Sequence, residues 1–168
     1  MYDSIFNQEQ MTQLQEILRV NNKKITCAES CTGGLIASMI TSRSGSSDIF
    51  DGSVVSYSNN VKIKELNVKE KTLNNFGAVS LEVVHEMLTG SLKKFNADFS
   101  IAVSGIAGPN GGTKEKPVGT VVIGITAKNT TSKADVFVFE GNREEVQIQA
   151  AKTALKEILK FVQKTLDK

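Results

Sequence analysis

The chain has 168 residues, of which 40% are hydrophobic and 23% are charged, and its formal net charge at pH 7 is +2. This length suits one domain spanning residues 1–168, and the composition is that of an ordinary soluble globular protein. The small net charge excludes a strong electrostatic bias toward nucleic acid or membrane surfaces. No stretch reaches the roughly 20 apolar residues that cross a bilayer, and the N-terminus lacks a signal-peptide pattern. We therefore expect a cytoplasmic protein.

The first half of the chain alternates helical and strand patterns. Met11, Leu14 and Leu18 recur at spacings of three and four, which places them on one face of a helix. Val54 and Val55 lie in a run that favours β-structure. The predicted elements are a helix over 8–20, a strand over 24–28, a helix over 35–41, a loop over 42–47, a strand over 52–58 and short helical pieces within 60–76.

The second half predicts two long helices and three strands. Gly77 breaks the preceding pattern, and Ser80 is a good N-cap for the helix that follows. The predicted elements are a helix over 81–95, a strand over 97–104, a glycine-rich loop over 105–118, strands over 120–127 and 134–139 joined by a polar turn, and a helix over 143–165. Helices before, between and after strands predict an α/β layered domain, and the hairpin favours a mixed sheet over an all-parallel one.

The inventory of cysteine and histidine limits the possible chemistry. Cys27 and Cys31 are four residues apart, which is not the spacing of redox or zinc motifs, so we predict two buried thiols flanking a tight loop. His85 is the only histidine and lies in a helical pattern, where a structural role is expected. A multi-histidine metal site is thereby excluded. A Ser-His-Asp triad would have to use this one histidine, so the inventory favours a lysine or a carboxylate as the base of any acyl-transfer chemistry.

The first loop that could carry chemistry runs from Glu29 to Gly34 and enters a helix. Free backbone N–H groups at a helix N-terminus favour a phosphate or an oxyanion. Gly33 and Gly34 would let a ligand approach the backbone closely, and Ser30 and Thr32 supply hydroxyl groups. Serine and threonine also cap helices in the absence of any ligand, so the loop alone leaves both roles open.

A second glycine-rich loop begins at Ser104 and reaches Gly112. It is not a Walker A loop, because no Gly-Lys-Ser/Thr follows at the required spacing. Its length and glycine content suit a wall around a ligand, although a plain surface loop also fits.

Two basic residues are candidates for the same site. Lys62 lies just past a predicted strand end, where α/β proteins place reactive groups, but most lysines are solvated surface charges. To act as a base, it would need its pKa lowered by about 3 units from about 10.4. Arg143 opens the last helix and could bind an anion there or pair with a neighbouring glutamate. The lysines that recur every four residues from Lys152 to Lys168 predict a solvated helix face.

Six segments of the chain, taken in order, resemble the CinA C-terminal domain family. They are residues 28–34, 45–47, 55–59 with Lys62, 77–80, 104–109 with 111–112, and 116–121. The resemblance covers residues 8 to 163, which is nearly the whole chain. The characterised enzymatic members of this family are nicotinamide mononucleotide deamidases.

This resemblance implies hydrolysis of the nicotinamide carboxamide, giving nicotinic acid mononucleotide and ammonia. It also implies a three-layer α/β/α fold, no cofactor, no required metal and a homo-oligomer that is a dimer or a trimer. The expected partner is a small nucleotide substrate, and nucleic acid and membranes are not expected partners.

The family's serine–lysine chemistry maps onto Ser30 as the nucleophile and Lys62 as the base, with Tyr57 beside them to orient the hydroxyl. Thr32 is a rival nucleophile on the same turn. Backbone N–H groups of the Thr32-Gly33-Gly34 turn or of the Ser104-Gly105 loop would stabilise the oxyanion, and Arg143 would bind the phosphate. The predicted substrate-binding residues are Glu29, Thr32, Gly33, Gly34, Asn59, Ser104, Gly105, Ala107, Gly108 and Arg143.

The alternative interpretation is a non-catalytic nucleotide-binding or regulatory module linked to competence or DNA damage. The presence of Ser30, Tyr57 and Lys62 favours the enzyme. Asn110 and Asn142 stand where the family often has aspartate, which changes the charge near the predicted ligand loops.

Overall fold

The computed structural model describes residues 1–167. The helices are α1 (Gln8–Val20), α2 (Leu35–Thr41), α3 (Asn59–Leu66), α4 (Glu70–Phe76), α5 (Leu81–Phe95) and α6 (Arg143–Leu166). The strands are β1 (Ile25–Glu29), β2 (Val54–Val55), β3 (Phe99–Gly105), β4 (Thr120–Ala127) and β5 (Lys133–Val138), and a short 3₁₀-helix covers Ser46–Asp48.

The five strands form one mixed sheet in the order β2-β1-β3-β4-β5. Strand β1 pairs in parallel with β2 and with β3, whereas β4 runs antiparallel to both β3 and β5. The predicted β4–β5 hairpin is therefore present, and the expectation of a mixed sheet is confirmed.

Helices cover both faces of the sheet, which confirms the three-layer α/β/α architecture. Cys27 of β1 and Ile101 of β3 belong to the core that packs on α1, α2 and α6. Ala28 and Ala102, the next residues along the same strands, belong to the core formed with α3, α4 and α5. This alternation follows from the two-residue period of side chains along a strand.

The three longest helices begin after capping residues, of which Ser80 was predicted from the sequence. Asn7 caps α1 and Asn142 caps α6, each in a capping box with a Gln or Glu side chain three residues further on. Ser80 caps α5 through a hydrogen bond from the backbone N–H of Val83. Predicted and observed bounds of α1, α2 and α5 agree to the residue.

The predicted strand over 52–58 is wrong in length, because β2 consists only of Val54 and Val55. The backbone N–H of Ser56 still donates to the Glu29 carbonyl at 2.7 Å, but two residues later Ser58 caps α3. The hydroxyl of Ser58 accepts a hydrogen bond from the Val61 N–H, so the chain leaves the sheet and turns into a helix. This early turn starts the helix that carries Lys62.

A close approach of two helices sets the position of α3. A side chain at Gly90 of α5 would lie 2.0 Å from the carbonyl oxygen of Leu66, the last residue of α3. Glycine therefore lets α5 touch the end of α3. The packing holds α3 next to the carboxyl ends of the parallel strands β1, β2 and β3, where the predicted loops meet.

Candidate active site

The loop after β1 brings Ser30 to the edge of the sheet. The backbone N–H of Ser30 donates to the Val103 carbonyl at 2.9 Å, which continues the β1–β3 pairing by one residue. The Ser30 side chain is 8% exposed and faces a cavity of about 260 Å³. The strand pairing therefore fixes the backbone of Ser30, the residue that carries the hydroxyl.

Lys62 reaches Ser30 from α3. Its side chain is only 1% exposed, its Nζ lies 3.1 Å from the Ser30 Oγ, and it donates to the Ser56 carbonyl at 2.9 Å. Within residues 1–167, no carboxylate lies within 4.0 Å of this nitrogen. Burial lowers the pKa of the Lys62 ammonium below its ordinary value of 10.5. The arrangement favours an uncharged amine that can take the Ser30 proton.

The cavity contains most of the predicted site. The predicted residues that line it are Ser30, Tyr57, Asn59, Lys62, Ser104, Gly105, Ala107, Gly108 and Arg143. The cavity is also lined by Cys31, Ile106, Asn110 and Gly111, which belong to the two loops predicted to carry chemistry, and by Ala78 and Val79, which sequence reasoning missed. Arg143 is the charged side chain among the lining residues and no carboxylate of residues 1–167 lines the cavity, so the cavity suits an anionic ligand.

Glu29 does not line this cavity, so its predicted role in substrate binding is not what its position provides. Its side chain is fully buried and accepts hydrogen bonds from the hydroxyl of Thr32 at 2.7 Å and the backbone N–H groups of Ile36 and Ala37 at 2.8 and 3.0 Å. The carboxylate therefore occupies the N-terminus of α2, where a ligand anion was expected, and the helix dipole stabilises it there.

Thr32, Gly33 and Gly34 are also absent from the residues that line the cavity. Thr32 is 3% exposed and its hydroxyl is held by Glu29, which removes it from the position of a nucleophile. Gly33 and Gly34 have φ angles of 60° and 104°, a left-handed region that favours glycine. The two glycines turn the chain into α2, which is a structural reason for their presence.

Tyr57 and Arg143 meet at the cavity. One guanidinium nitrogen of Arg143 donates to the Tyr57 hydroxyl at 2.6 Å, and the other donates to the Gly108 carbonyl at 2.7 Å. The Tyr57 side chain is 58% exposed, and its hydroxyl faces Arg143 instead of Ser30. The predicted role of Tyr57 in orienting the nucleophile is therefore not supported by its contacts.

The two cysteines are free and buried, as predicted. Burial raises the pKa of the Cys31 thiol to about 12, so this cavity-lining group is protonated at neutral pH and is a poor nucleophile. His85 is partly buried, and its Nδ1 contacts the Ser132 hydroxyl on the β4–β5 turn. This contact lies outside the cavity and agrees with the predicted structural role.

The predicted lysine stripe on α6 is exposed only in part, because the Lys152 side chain is 12% exposed and Lys156 is partly buried. Lys160 and Lys164 are exposed, and Lys152 donates to the Asp3 carboxylate at 2.6 Å. Lys168 lies outside the described residues. In residues 1–167, no helix is long and apolar enough to span a membrane.

Gln147 is a residue near the site that sequence reasoning missed. It lies one turn after Arg143 on α6, and its amide Nε2 donates to the Cys31 carbonyl at 2.8 Å. The helical spacing of four residues from Arg143 was the available signal, because residues i and i+4 share a helix face.

A family model of the CinA C-terminal domain matches residues 7–162 of the chain. A CinA-like protein of Syntrophomonas wolfei is 54% identical over 133 residues, which cover 79% of this chain and 32% of that protein. A nicotinamide-nucleotide amidohydrolase of Enterobacter agglomerans is 52% identical over 140 residues, which cover 81% of this chain and 85% of that protein. The chain thus spans about a third of the length of the first relative and most of the second.

Solved structures of similar proteins have the same fold. A competence-damaged protein superfamily member from Escherichia coli superposes with a TM-score of 0.89 at 32% identity, covering 96% of this chain and 93% of that one. A competence/damage inducible protein from Agrobacterium tumefaciens superposes with a TM-score of 0.88 at 37% identity, covering 92% and 94% of the two chains.

Proposed function

The chain belongs to the CinA C-terminal domain family, and we propose that it hydrolyses the carboxamide of nicotinamide mononucleotide to nicotinic acid mononucleotide and ammonia. The observation that carries this proposal is the buried Ser30–Lys62 pair, in which a lysine with no carboxylate of residues 1–167 within 4.0 Å lies 3.1 Å from a serine hydroxyl. The name of the Enterobacter agglomerans relative supports the same reaction.

The proposed reaction uses a covalent intermediate. Lys62 takes the proton of Ser30 as the serine oxygen attacks the carboxamide carbon. Lys62 then gives this proton to the departing amine, which leaves as ammonia. In the second half, Lys62 takes a proton from water, the resulting hydroxide cleaves the acyl-serine ester, and Ser30 recovers its proton.

Stabilisation of the oxyanion is assigned to the loop after β3. The N–H groups of Ile36 and Ala37, at the start of α2, are occupied by Glu29 and cannot serve. Ala107 and Gly108 line the cavity, and their backbone N–H groups donate no hydrogen bond to any group in residues 1–167. Donors held in place before the reaction stabilise the developing charge without a reorganisation cost.

Arg143 is the proposed partner of the substrate phosphate. Its guanidinium lies at the cavity, and it can form paired hydrogen bonds with phosphate oxygens. A bound phosphate would compete with the Tyr57 hydroxyl and the Gly108 carbonyl for the same donors. Within residues 1–167, the lining residues include no carboxylate, so no acidic side chain of the cavity would repel the bound phosphate.

An ammonia-release assay tests the proposal with nicotinamide mononucleotide, nicotinamide riboside and nicotinamide side by side. We expect release from the mononucleotide, less from the riboside and least from free nicotinamide, with Ser30→Ala as the blank. Binding of the mononucleotide by the wild-type protein without ammonia release would instead support the non-catalytic nucleotide-binding module.

A further inference from the structure

Gln147 connects α6 to the loop that carries the nucleophile. Its Nε2 donates to the carbonyl oxygen of Cys31 at 2.8 Å, although the two residues are 116 positions apart in the sequence. Gln147 is partly buried, and its neighbours Val146 and Ala150 are fully buried in the core. The amide therefore projects from a rigidly packed helix toward the residue directly after Ser30.

The contact restrains the backbone on the C-terminal side of Ser30. The Ser30 N–H is already held by the Val103 carbonyl, and the Gly33 N–H donates to the Ser30 carbonyl at 3.0 Å. A peptide unit is planar, so fixing the Cys31 carbonyl also fixes the plane that joins Cys31 to Thr32. The turn is thus held by β3 on one side of Ser30 and by α6 on the other.

We infer that Gln147 is a positioning residue for the proposed amidohydrolase reaction, acting through the Cys31 carbonyl on the alignment of Ser30 with Lys62. This inference rests on the proposed function for its kinetic consequence. Arg143 lies on the same face of α6, one turn earlier. One helix therefore restrains the loop of the proposed nucleophile and also carries the proposed phosphate partner. The same helix would position the substrate's carboxamide and its phosphate.

Three variants of Gln147 separate the hydrogen bond from the volume of the side chain. Gln147→Met has a similar length without a donor, Gln147→Glu has the same shape without a donor, and Gln147→Arg keeps donor groups. The matched control is Gln149→Met on the same helix. Gln149 donates to the Glu140 and Glu145 carbonyls and makes no hydrogen bond to the loop that carries Ser30.

The first measurement is hydrogen exchange of the backbone amides in residues 29–34, which needs no activity. We expect faster exchange in Gln147→Met and Gln147→Glu than in the wild type, and wild-type exchange in Gln147→Arg and in the control. Unchanged exchange in both donor-free variants would overturn the inference, whatever the protein's activity.

The second measurement is ammonia release at varied mononucleotide concentration. We expect kcat to fall roughly tenfold to 100-fold in the donor-free variants, because a misplacement of about 1 Å costs about that much, with KM nearly unchanged. Gln147→Arg should recover most of kcat. An equal loss in Gln149→Met, or a loss confined to KM, would overturn the positioning role. A wild-type protein without ammonia release would contradict the proposed function, while the exchange measurement would still decide the role of Gln147.

Discussion

The Nζ of Lys62 lies 3.1 Å from the Oγ of Ser30, and both side chains are buried. Ser30 lies in the turn after β1, and Lys62 lies near the start of α3. The Lys62 amine also donates to the Ser56 carbonyl at 2.9 Å, which holds it beside the Ser30 hydroxyl. No carboxylate of residues 1–167 pairs with Lys62, and a lysine this deeply buried is costly to keep charged, so its position favours the neutral base that the proposed reaction needs.

Replacing Ser30 separates the two candidate nucleophiles. Ser30→Ala should lower kcat at least about 1,000-fold, because the covalent route is lost. Thr32→Val should keep measurable turnover, since the Thr32 hydroxyl is bound to Glu29, and should lower the free energy of unfolding by about 1–3 kcal/mol. Ammonia release and urea unfolding check both. Near-normal turnover in Ser30→Ala with none in a folded Thr32→Val would reverse the assignment.

The activity should depend on pH through Lys62. Because burial lowers the pKa of Lys62, kcat/KM should rise with pH along a limb whose midpoint lies below 10.5. Lys62→Arg, which stays protonated, should be inactive throughout. Lys64→Arg is the matched control, since Lys64 is exposed on the same helix and its substitution should leave the limb unchanged. A limb that persists in Lys62→Arg would assign the titration to another group.

The same lysine makes a contribution to stability with a definite sign. The folded state binds fewer protons at Lys62 than the unfolded state between the lowered pKa and 10.5, so this contribution rises with pH in that window. Urea unfolding of the wild type and Lys62→Met at neutral and at high pH should therefore show the wild type gaining on the variant. A constant difference between the two proteins would contradict the lowered pKa.

Arg143 and Tyr57 should act on substrate binding. Arg143→Met should raise KM for the mononucleotide roughly tenfold to 100-fold, because hydrogen bonds to a charged group contribute about 1.5–3 kcal/mol. KM for nicotinamide riboside, which has no phosphate, should change little. Arg43→Met is the control, because Arg43 does not line the cavity. Equal increases in KM for both substrates would remove the phosphate from the role of Arg143.

Tyr57→Phe tests the geometry against the interpretation from sequence. The Tyr57 hydroxyl contacts Arg143, so its loss should alter KM and leave kcat near the wild-type value. A role in orienting Ser30 would instead lower kcat and leave KM near the wild-type value. Steady-state ammonia release with the mononucleotide distinguishes the two, and a large fall in kcat would restore the role predicted from the sequence.

Glu29 should matter for stability before it matters for binding. Glu29→Gln keeps the shape but replaces an acceptor with a donor facing three donors, which should lower the free energy of unfolding by about 1–3 kcal/mol. Glu70→Gln is the control, because Glu70 supplies a carboxylate to the first turn of α4 but is exposed, whereas the Glu29 carboxylate is buried at the N-terminus of α2. Urea unfolding measures both, and equal effects would show that the buried hydrogen bonds contribute nothing beyond the helix dipole.

Much of the fold follows from local patterns in the chain. The apolar spacing of α1 and the Ser80 cap of α5 are encoded within a few neighbouring residues, and the predicted bounds of those helices agree with the structure. Strand β2 was predicted too long because Tyr57 suits a strand, whereas Ser58 starts a helix in the folded chain. A local propensity for β-structure cannot show where a helix cap takes over.

A serine loop, a lysine after a strand and a glycine-rich loop can be identified in the chain without any structure, in the order of one family. The tertiary structure decided which way their side chains point. The Glu29 carboxylate accepts hydrogen bonds at the N-terminus of α2, Arg143 donates to the Tyr57 hydroxyl, and Gln147 donates to the Cys31 carbonyl. These relationships join residues far apart in the chain or depend on which face of the sheet a side chain takes. Packing of the layers fixes both, and no local pattern carries that information.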